Sequence, residues 1–316
     1  MPRVQRCPPP RGGRNRAIVM RVRIWGTRGS IPTPSAPDIP TRRYGGDTSC
    51  VSVAAGDALV ILDAGTGVRH LGNELMRAGP RSATVLFSHF HWDHIQGFPF
   101  FVPAYHQDFS FDIYAPPSKD GGSQANVAQA ALEQQHASPF FPVPFCALKA
   151  RLRFLRLPTD GPLRIPAGAS RLVIHHAPLS HPGGCHGYRI EEQSDDAPTR
   201  VFVYLTDNEH PAEGTSPAVQ NLAKGADLVL MDSQFTEDEY EGRSGYGPRI
   251  GWGHSTWKAC LRETKEAGAK RLLLSHHDPG HDDSFITLME RAARSEGAKH
   301  GIRVEAAVQF REYEIG

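Results

Sequence analysis

Four apolar stretches of this 316-residue chain end on a residue type that binds metal ions: VLFSH at His89, LSH at His181, VYLTD at Asp207 and LLLSH at His276. Each reads as a buried strand whose last residue carries chemistry. Strands can deliver such residues to one place only if their C-terminal ends meet along a common edge, where polar loops stand on a rigid frame. SHFHWDHIQG, residues 88–97, is the densest of these endings, with His89, His91, Asp93 and His94 inside six positions. His89 and His91 alternate by two and so share one face at a strand end. Asp93 and His94 lie past it, on the turn into a helix, where they can face a second ion. Histidine and aspartate without cysteine suit a borderline or hard divalent ion, Zn²⁺ first, with Mn²⁺ or Fe as the other candidates.

The rest of the chain alternates in a way that can build such an edge. RVRIWG and the hairpin CVSVAAGDALVILDAG, turning at Gly56-Asp57, read as strands. VRHLGNELMRAG has helical spacing of Val68, Leu71 and Leu75 and stops at Gly79. ATVLFSH is a strand, and SQANVAQAALEQQHA a helix begun by Ser123. LRFLRL, SRLVIHHAPL, HGYRIEE, RVFVYLTD and DLVLMD follow as strands. TWKACLRETKEAGA and DSFITLMERAARSEG are helices around the strand KRLLLSH, and RVEAAVQFREYEI is a last strand. Two series of strands with helices interspersed in each, and no polar linker between them, predict an α/β chain: a single four-layered domain of two sheets face to face with helices outside.

Composition excludes more than it assigns. Thirty-five basic residues against 34 acidic ones give a formal charge of +1, so no global field recruits nucleic acid or membrane. Five scattered cysteines without a CxxC read as reduced and intracellular, and no apolar run approaches the ~20 residues of a membrane span. A cytoplasmic protein is expected. Residues 1–19, MPRVQRCPPPRGGRNRAIV, are rich in Pro and Arg and hold no acid. They read as a disordered extension or a start placed upstream of Met20, leaving 20–316 as the folded unit.

The blocks WGTRGSIPTP, RRYGGDTSCVSV, LDAGTG, HWDHIQGFPFF, SHPGGCHGYRI, TDNE, MDSQFTEDEY, GHST and SHHDPGHDD resemble the metallo-β-lactamase superfamily, in its ribonuclease Z and phosphodiesterase branch. They run from Trp25 to Asp283. The resemblance implies an αβ/βα sandwich with two divalent metal ions at its edge. His89, His91 and His181 would hold one ion, Asp93, His94 and His276 the other, and Asp207 would bridge them. His277 competes with His276 for the last place, and the echo between VLFSH and LLLSH favours His276. The catalytic set would be Asp93, His254 of GHST and Asp232, which stands where the family keeps an acidic partner for that histidine. Asp63 of LDAGTG reads either as an acceptor that orients a ligand histidine or as a turn residue.

Two divalent ions bring four positive charges, of which Asp93 and Asp207 remove two. Such a site can hold a bridging hydroxide and still attract a phosphodiester anion. Asp47 departs from the family, which usually has Asn there. Only 26 positions separate His181 from Asp207, filled by two strands and the acidic turn EEQSDDAPT. The tRNA-clamping members of the branch carry a long insertion at that place, and an acidic turn repels tRNA. The aromatic stretch GFPFFVPAYHQDFSFDIYAP and the later SPFFPVPF read either as a lid over the metals or as a hydrophobic subcore or dimer surface. A metal-dependent hydrolase of small or cyclic nucleotide-like phosphodiesters is therefore expected, with no stable nucleic-acid partner, no membrane, and a homodimer compatible with that stretch. The alternatives are a tRNA 3′-end endonuclease and a lactone or thioester hydrolase.

Overall fold

Met20, Val22 and Ile24 alternate with Arg21 and Arg23 along the first strand, and the buried three face the space between two sheets. The structure is a computed structural model, described here for residues 19–79, 81–116 and 124–316. Residues 1–18 of the expected extension and Ser123, the expected helix start, lie outside the described residues.

The first sheet has the order β14-β1-β2-β3-β4-β5-β6. It comprises β1 (Met20–Gly26), β2 (Cys50–Ala55), β3 (Ala58–Leu62), β4 (Ser82–Leu86), β5 (Ser110–Ala115), β6 (Arg151–Arg156) and β14 (Glu312–Ile315). The second sheet has the order β13-β12-β11-β10-β9-β8-β7. Its strands are β7 (Leu163–Ala167), β8 (Ser170–Leu179), β9 (Cys185–Ser194), β10 (Ala197–Leu205), β11 (Leu228–Asp232), β12 (Arg271–Ser275) and β13 (Arg303–Ala306). In each sheet one half is antiparallel and the other parallel: β3 to β6 in the first, β10 to β13 in the second.

The helices that flank the first sheet are α1 (Val68–Ala78) and α3 (Gln124–Gln135). Those that flank the second are α4 (Pro217–Ala223), α6 (Trp257–Glu266) and α7 (Asp283–Ala298). The short α2 (Trp92–Ile95) and α5 (Glu237–Tyr240) sit in loops. Three apolar layers result. Leu62, Leu172, Ile190 and Phe202 pack between the sheets. Leu71, Leu75 and Leu132 cover the outside of the first sheet, and Val219, Leu261 and Met289 that of the second. Helix starts are fixed locally: the Thr256 side chain caps α6 by accepting from Ala259 N, and Asp282 caps α7 by accepting from Phe285 N at 2.7 Å. This is the four-layered α/β sandwich the sequence predicts.

Three details differ. The expected last strand is two strands in different sheets. Phe310, in the left-handed region at φ +69°, turns the chain, and its N–H donates to Ile24 O at 2.7 Å, drawing it to the first sheet. The strands also stop short of the chemistry, at Leu86, Leu205 and Ser275; beyond the last two, Asp207 (φ 49°) and His276 (φ 61°) adopt backbone conformations that no ladder continues. Finally, most of the aromatic stretch is core. SFDIYA is the parallel strand β5, and Phe98, Phe101, Phe109 and Phe111 are buried against the first sheet with α1. Among the described residues no helix is long and apolar enough to cross a membrane.

Burial makes the core reading of the aromatic stretch testable. Phe101 is 1% exposed, so Phe101→Ala should destabilise the fold by about 3–5 kcal/mol. A denaturant midpoint shifted by that amount, with KM unchanged at temperatures where the variant is folded, is the expected result. A stable variant with a raised KM would restore the lid.

Candidate metal centre

Both sheets contribute to one cleft at the C-terminal ends of their parallel strands. His89, His91, Asp93 and His94 follow β4, with the last two on α2. His181 follows β8, Asp207 follows β10, Asp232 ends β11 and His276 follows β12. One donor set is His89, His91, His181 and Asp207; a second is Asp93, His94, Asp207 and His276. Within each set one donor atom per residue lies within 4.8 Å of all the others. Asp207 belongs to both, and its two oxygens divide. Oδ2 is 3.6 Å from Nε2 of both His89 and His181, while Oδ1 is 3.1 Å from Nε2 of both His94 and His276. Asp93 Oδ2 stands 3.1 Å from His276 Nε2 and accepts from Ser30 N at 2.8 Å.

The opposite edge is tied down in four of the five rings, His91 being the exception. His94 Nδ1 is 2.8 Å from Asp63 Oδ2, and His181 Nδ1 is 2.9 Å from the Gly253 carbonyl oxygen. Both partners can only accept, so each Nδ1 carries the proton and each Nε2 aims a lone pair into the cleft. His276 Nδ1 meets Gln234 Oε1 at 3.2 Å, and His89 Nδ1 meets Ser88 Oγ at 3.0 Å. Two glycines are required by this crowding. A Cβ on Gly29 would lie 2.3 Å from His276 Nδ1, and one on Gly253 would lie 2.2 Å from His181 Nδ1.

These residues fit divalent cations. His89 Nε2 is buried with no hydrogen-bond partner among the described residues, and His94 Nε2 faces His276 Nε2 at 3.3 Å. Burial, seconded by His94, holds His89 well below the ordinary imidazole value, and burial likewise lowers His91 and His181, so these three are neutral as a metal requires. Burial opposes ionisation of Asp93 and Asp207 too, yet His94 and His276 hold both carboxylates well below their usual range. Against burial, Asp207 in turn raises His94 well above its ordinary value and His276 to about 9. Two protonated nitrogens cannot face each other at that separation. The buried carboxylates demand positive charge, and a cation meets the demand where protons collide.

Asp63 is the acceptor rather than only a turn residue. It is fully buried at φ +60° and takes His94 Nδ1, Ser88 N at 2.6 Å, Ser88 Oγ at 2.7 Å and Tyr204 OH at 2.8 Å. His277 does not reach the cleft: it is buried, with neither ring nitrogen partnered among the described residues. Asp47 lies outside the cluster, with Oδ2 3.0 Å from His70 Nε2 and 2.5 Å from Gln309 Nε2. His254 stands beside the second set, its ring 5.1 Å from that of His276, and its Nδ1 is 2.8 Å from Asp232 Oδ2. Burial disfavours its charged form, but Asp232 outweighs this and raises the pKa above the ordinary value.

Sequence reading did not find Ser88, Tyr204 or Glu209. Glu209 Oε1 accepts from Tyr240 OH and Gly251 N, both at 2.6 Å, and Oε2 accepts from Gly253 N at 2.9 Å. It thereby fixes the loop that orients His181. Its place in TDNE, two residues after Asp207, was the one available signal.

The family model for the beta-lactamase superfamily domain matches residues 59–277. The chain belongs to that superfamily. It is 25% identical to the ribonuclease Z of Myxococcus xanthus over 87% of this chain and 92% of the relative. Among solved structures, the metallo-beta-lactamase fold protein YhfI of Bacillus subtilis superposes with TM-score 0.61, at 20% identity over 94% of this chain and 99% of the other. The Zn²⁺-bound PqqB of Methylobacterium extorquens gives 0.63 at 14% identity over 93% and 99%. The chain thus stands among the metal-dependent hydrolases of the metallo-β-lactamase fold.

Asp63→Asn exchanges an acceptor for a group that can also donate toward His94. Metal affinity, measured by competition with a chelator, should fall 10–100-fold. An unchanged affinity would reduce Asp63 to a turn residue.

Proposed function

We propose that this protein is a dinuclear phosphodiesterase acting on small or single-stranded phosphodiesters, cyclic nucleotides included. The observation that carries the reading is Asp207, which turns one oxygen to each of two complete donor sets. His89, His91 and His181 would hold one ion, Asp93, His94 and His276 the other, with Asp207 common to both. Zn²⁺ is the first choice for a set of histidines and carboxylates without thiolate. Divalent ions bound there supply positive charge for a phosphoryl anion and bring the ionisation of water into the neutral range.

The protein's own groups account for the remaining steps. Asp232 fixes Nδ1–H of His254, leaving Nε2 without a protein partner among the described residues. Asp232 favours the charged form of His254 against the cost of burial, which suits this ring to give a proton to the departing alkoxide. Asp93 holds its place through Ser30 N and His276 and keeps negative charge in the second set.

Processing of tRNA is the second reading, supported by the name of the Myxococcus xanthus relative. What favours small substrates is the connection between β9 and β10. These strands pair directly, and only Asp195 and Asp196 join them, so no clamping arm stands at that point. Four unpaired cysteines among the described residues suit a reducing cytoplasm.

Purified protein should be assayed on cyclic nucleotides, an aryl phosphodiester, a precursor tRNA and a lactone, with metal analysis alongside. Two ions per chain are expected, and His91→Ala should lose both activity and metal. Accurate cleavage of precursor tRNA at higher kcat/KM than any small diester, at fixed salt, would reverse the ranking. Preference for the lactone would remove phosphorus as the target.

His254→Ala separates proton transfer from metal binding. Both ions should remain while kcat falls about 10²–10⁴-fold, less for a nitrophenolate that departs without a proton. Loss of an ion would make His254 a ligand instead.

A further inference from the structure

Beside His254 the loop 241–253 leaves one positive charge without a partner. Phe235 lies edge-on to the His254 ring at 5.9 Å, and the Arg249 guanidinium carbon sits 5.7 Å from the centre of that same Phe235 ring. The guanidinium is also 4.5 Å from the Trp252 ring and 5.8 Å from that of Tyr246. Trp252 and Tyr246 are themselves exposed, at 53% and 72%. Three aromatic rings thus flank the guanidinium of Arg249, yet among the described residues it makes no ion pair or hydrogen bond, and Nε is buried without a partner. The nearby acids are committed elsewhere. Asp238 and Glu241 pair with Arg243, Glu237 lies 3.5 Å from Lys258 Nζ, and both Glu209 oxygens accept from Tyr240, Gly251 and Gly253.

An arginine packed among rings with open donors is prepared for a planar, two-point contact with phosphate, because less side-chain freedom is left to lose on binding. The loop that carries it does not float. Glu209 pins its end, and the Gly253 carbonyl oxygen accepts from His181 Nδ1, so the position of Arg249 is set by the same backbone that sets a metal-site histidine. The path from the His254 ring to the guanidinium has legs of 5.9 and 5.7 Å and can be no longer than the two end to end. Neighbouring phosphates of one strand lie roughly 7 Å apart through space, about twice the axial rise per nucleotide, so that is a reach of about two phosphates at most.

We propose that Arg249, flanked by Phe235, Tyr246 and Trp252, is an anion subsite for a second phosphate of the substrate, one or two nucleotides from the phosphodiester that is cut. The inference rests on the phosphodiesterase reading and narrows it: the favoured substrate is a short single-stranded oligonucleotide rather than a lone cyclic mononucleotide. The exposed Trp252 and Tyr246 faces offer stacking surface to an adjacent base.

Two measurements test this on the full-length, metal-loaded protein. The first compares the p-nitrophenyl ester of thymidine 5′-phosphate with the same ester bearing a further phosphate on its 3′-oxygen. Scissile bond and leaving group are identical. The wild type should prefer the second compound in kcat/KM, and Arg249→Ala should erase most of that preference, a change of about 10–100-fold for a lost charged hydrogen-bonded pair. Arg249→Lys should restore it only in part, since an ammonium cannot make the planar contact. A preference that survives the substitution overturns the proposal. So does an equal loss on both compounds with reduced metal content, which would make Arg249 a structural residue of the loop. The second measurement is binding of a fluorescent five-residue oligothymidylate phosphorothioate, followed by anisotropy across salt concentrations. Arg249→Ala should weaken it and reduce the salt slope by about one unit. Unchanged affinity and slope reject the subsite even if every diester is hydrolysed. A reduced slope in a protein that cuts none of them keeps the subsite and rejects the phosphodiesterase.

Discussion

One buried carboxylate organises this molecule. Asp63, at the end of β3, receives hydrogen from the Ser88 backbone and hydroxyl, from His94 and from Tyr204 of the opposing sheet. A fully buried carboxylate tolerates such a place only if its lone pairs are satisfied, and here all the donors come from segments that carry or support the candidate metal centre. The left-handed backbone at Asp63 puts the carboxylate where Ser88, His94 and Tyr204 converge. Satisfying that charge and aiming the lone pair of His94 are one event.

Sequence brought the candidate centre into view because the residues proposed as its ligands follow apolar strands. A run such as LLLSH announces both a buried strand and the residue that emerges from it, and the same pattern at His89, His181 and Asp207 predicts convergence. What stayed hidden depends on backbone turns rather than on residue type. Asp63, Asp207 and His276 all lie in the left-handed region, a conformation that Asp and His visit more readily than most residues but that no periodicity reveals. Such conformations gather at functional sites because surrounding contacts hold them there. Phe310 hid the last strand's change of sheet in the same way.

The aromatic stretch after His94 was ambiguous for a different reason. Phenylalanines at Phe98, Phe101, Phe109 and Phe111 fit a lid or a core equally well until β5 is seen between β4 and β6, which converts them to packing residues. Two exposed aromatic residues are instead sequence neighbours of the site's motifs: Trp92, between His91 and Asp93, and Trp252, beside Gly253 and His254. Glu209 accepts from Gly251 and Gly253, which anchors the loop presenting Trp252.

In each donor set two residues hang from each sheet, and the two sheets meet through a greasy layer with few polar ties. Tyr204 OH reaches Asp63, and Tyr188 OH donates to Phe87 O at 2.6 Å. The cleft therefore works as a caliper whose jaws are set by the thickness of the layer around Leu172, Ile190 and Phe202. Because packed interiors transmit small volume changes instead of absorbing them, a methylene added or removed there alters the gap between the His89 and Asp207 sides. Substitutions far from any ligand can then behave like active-site mutations, and pairs drawn from the two sheets need not be additive.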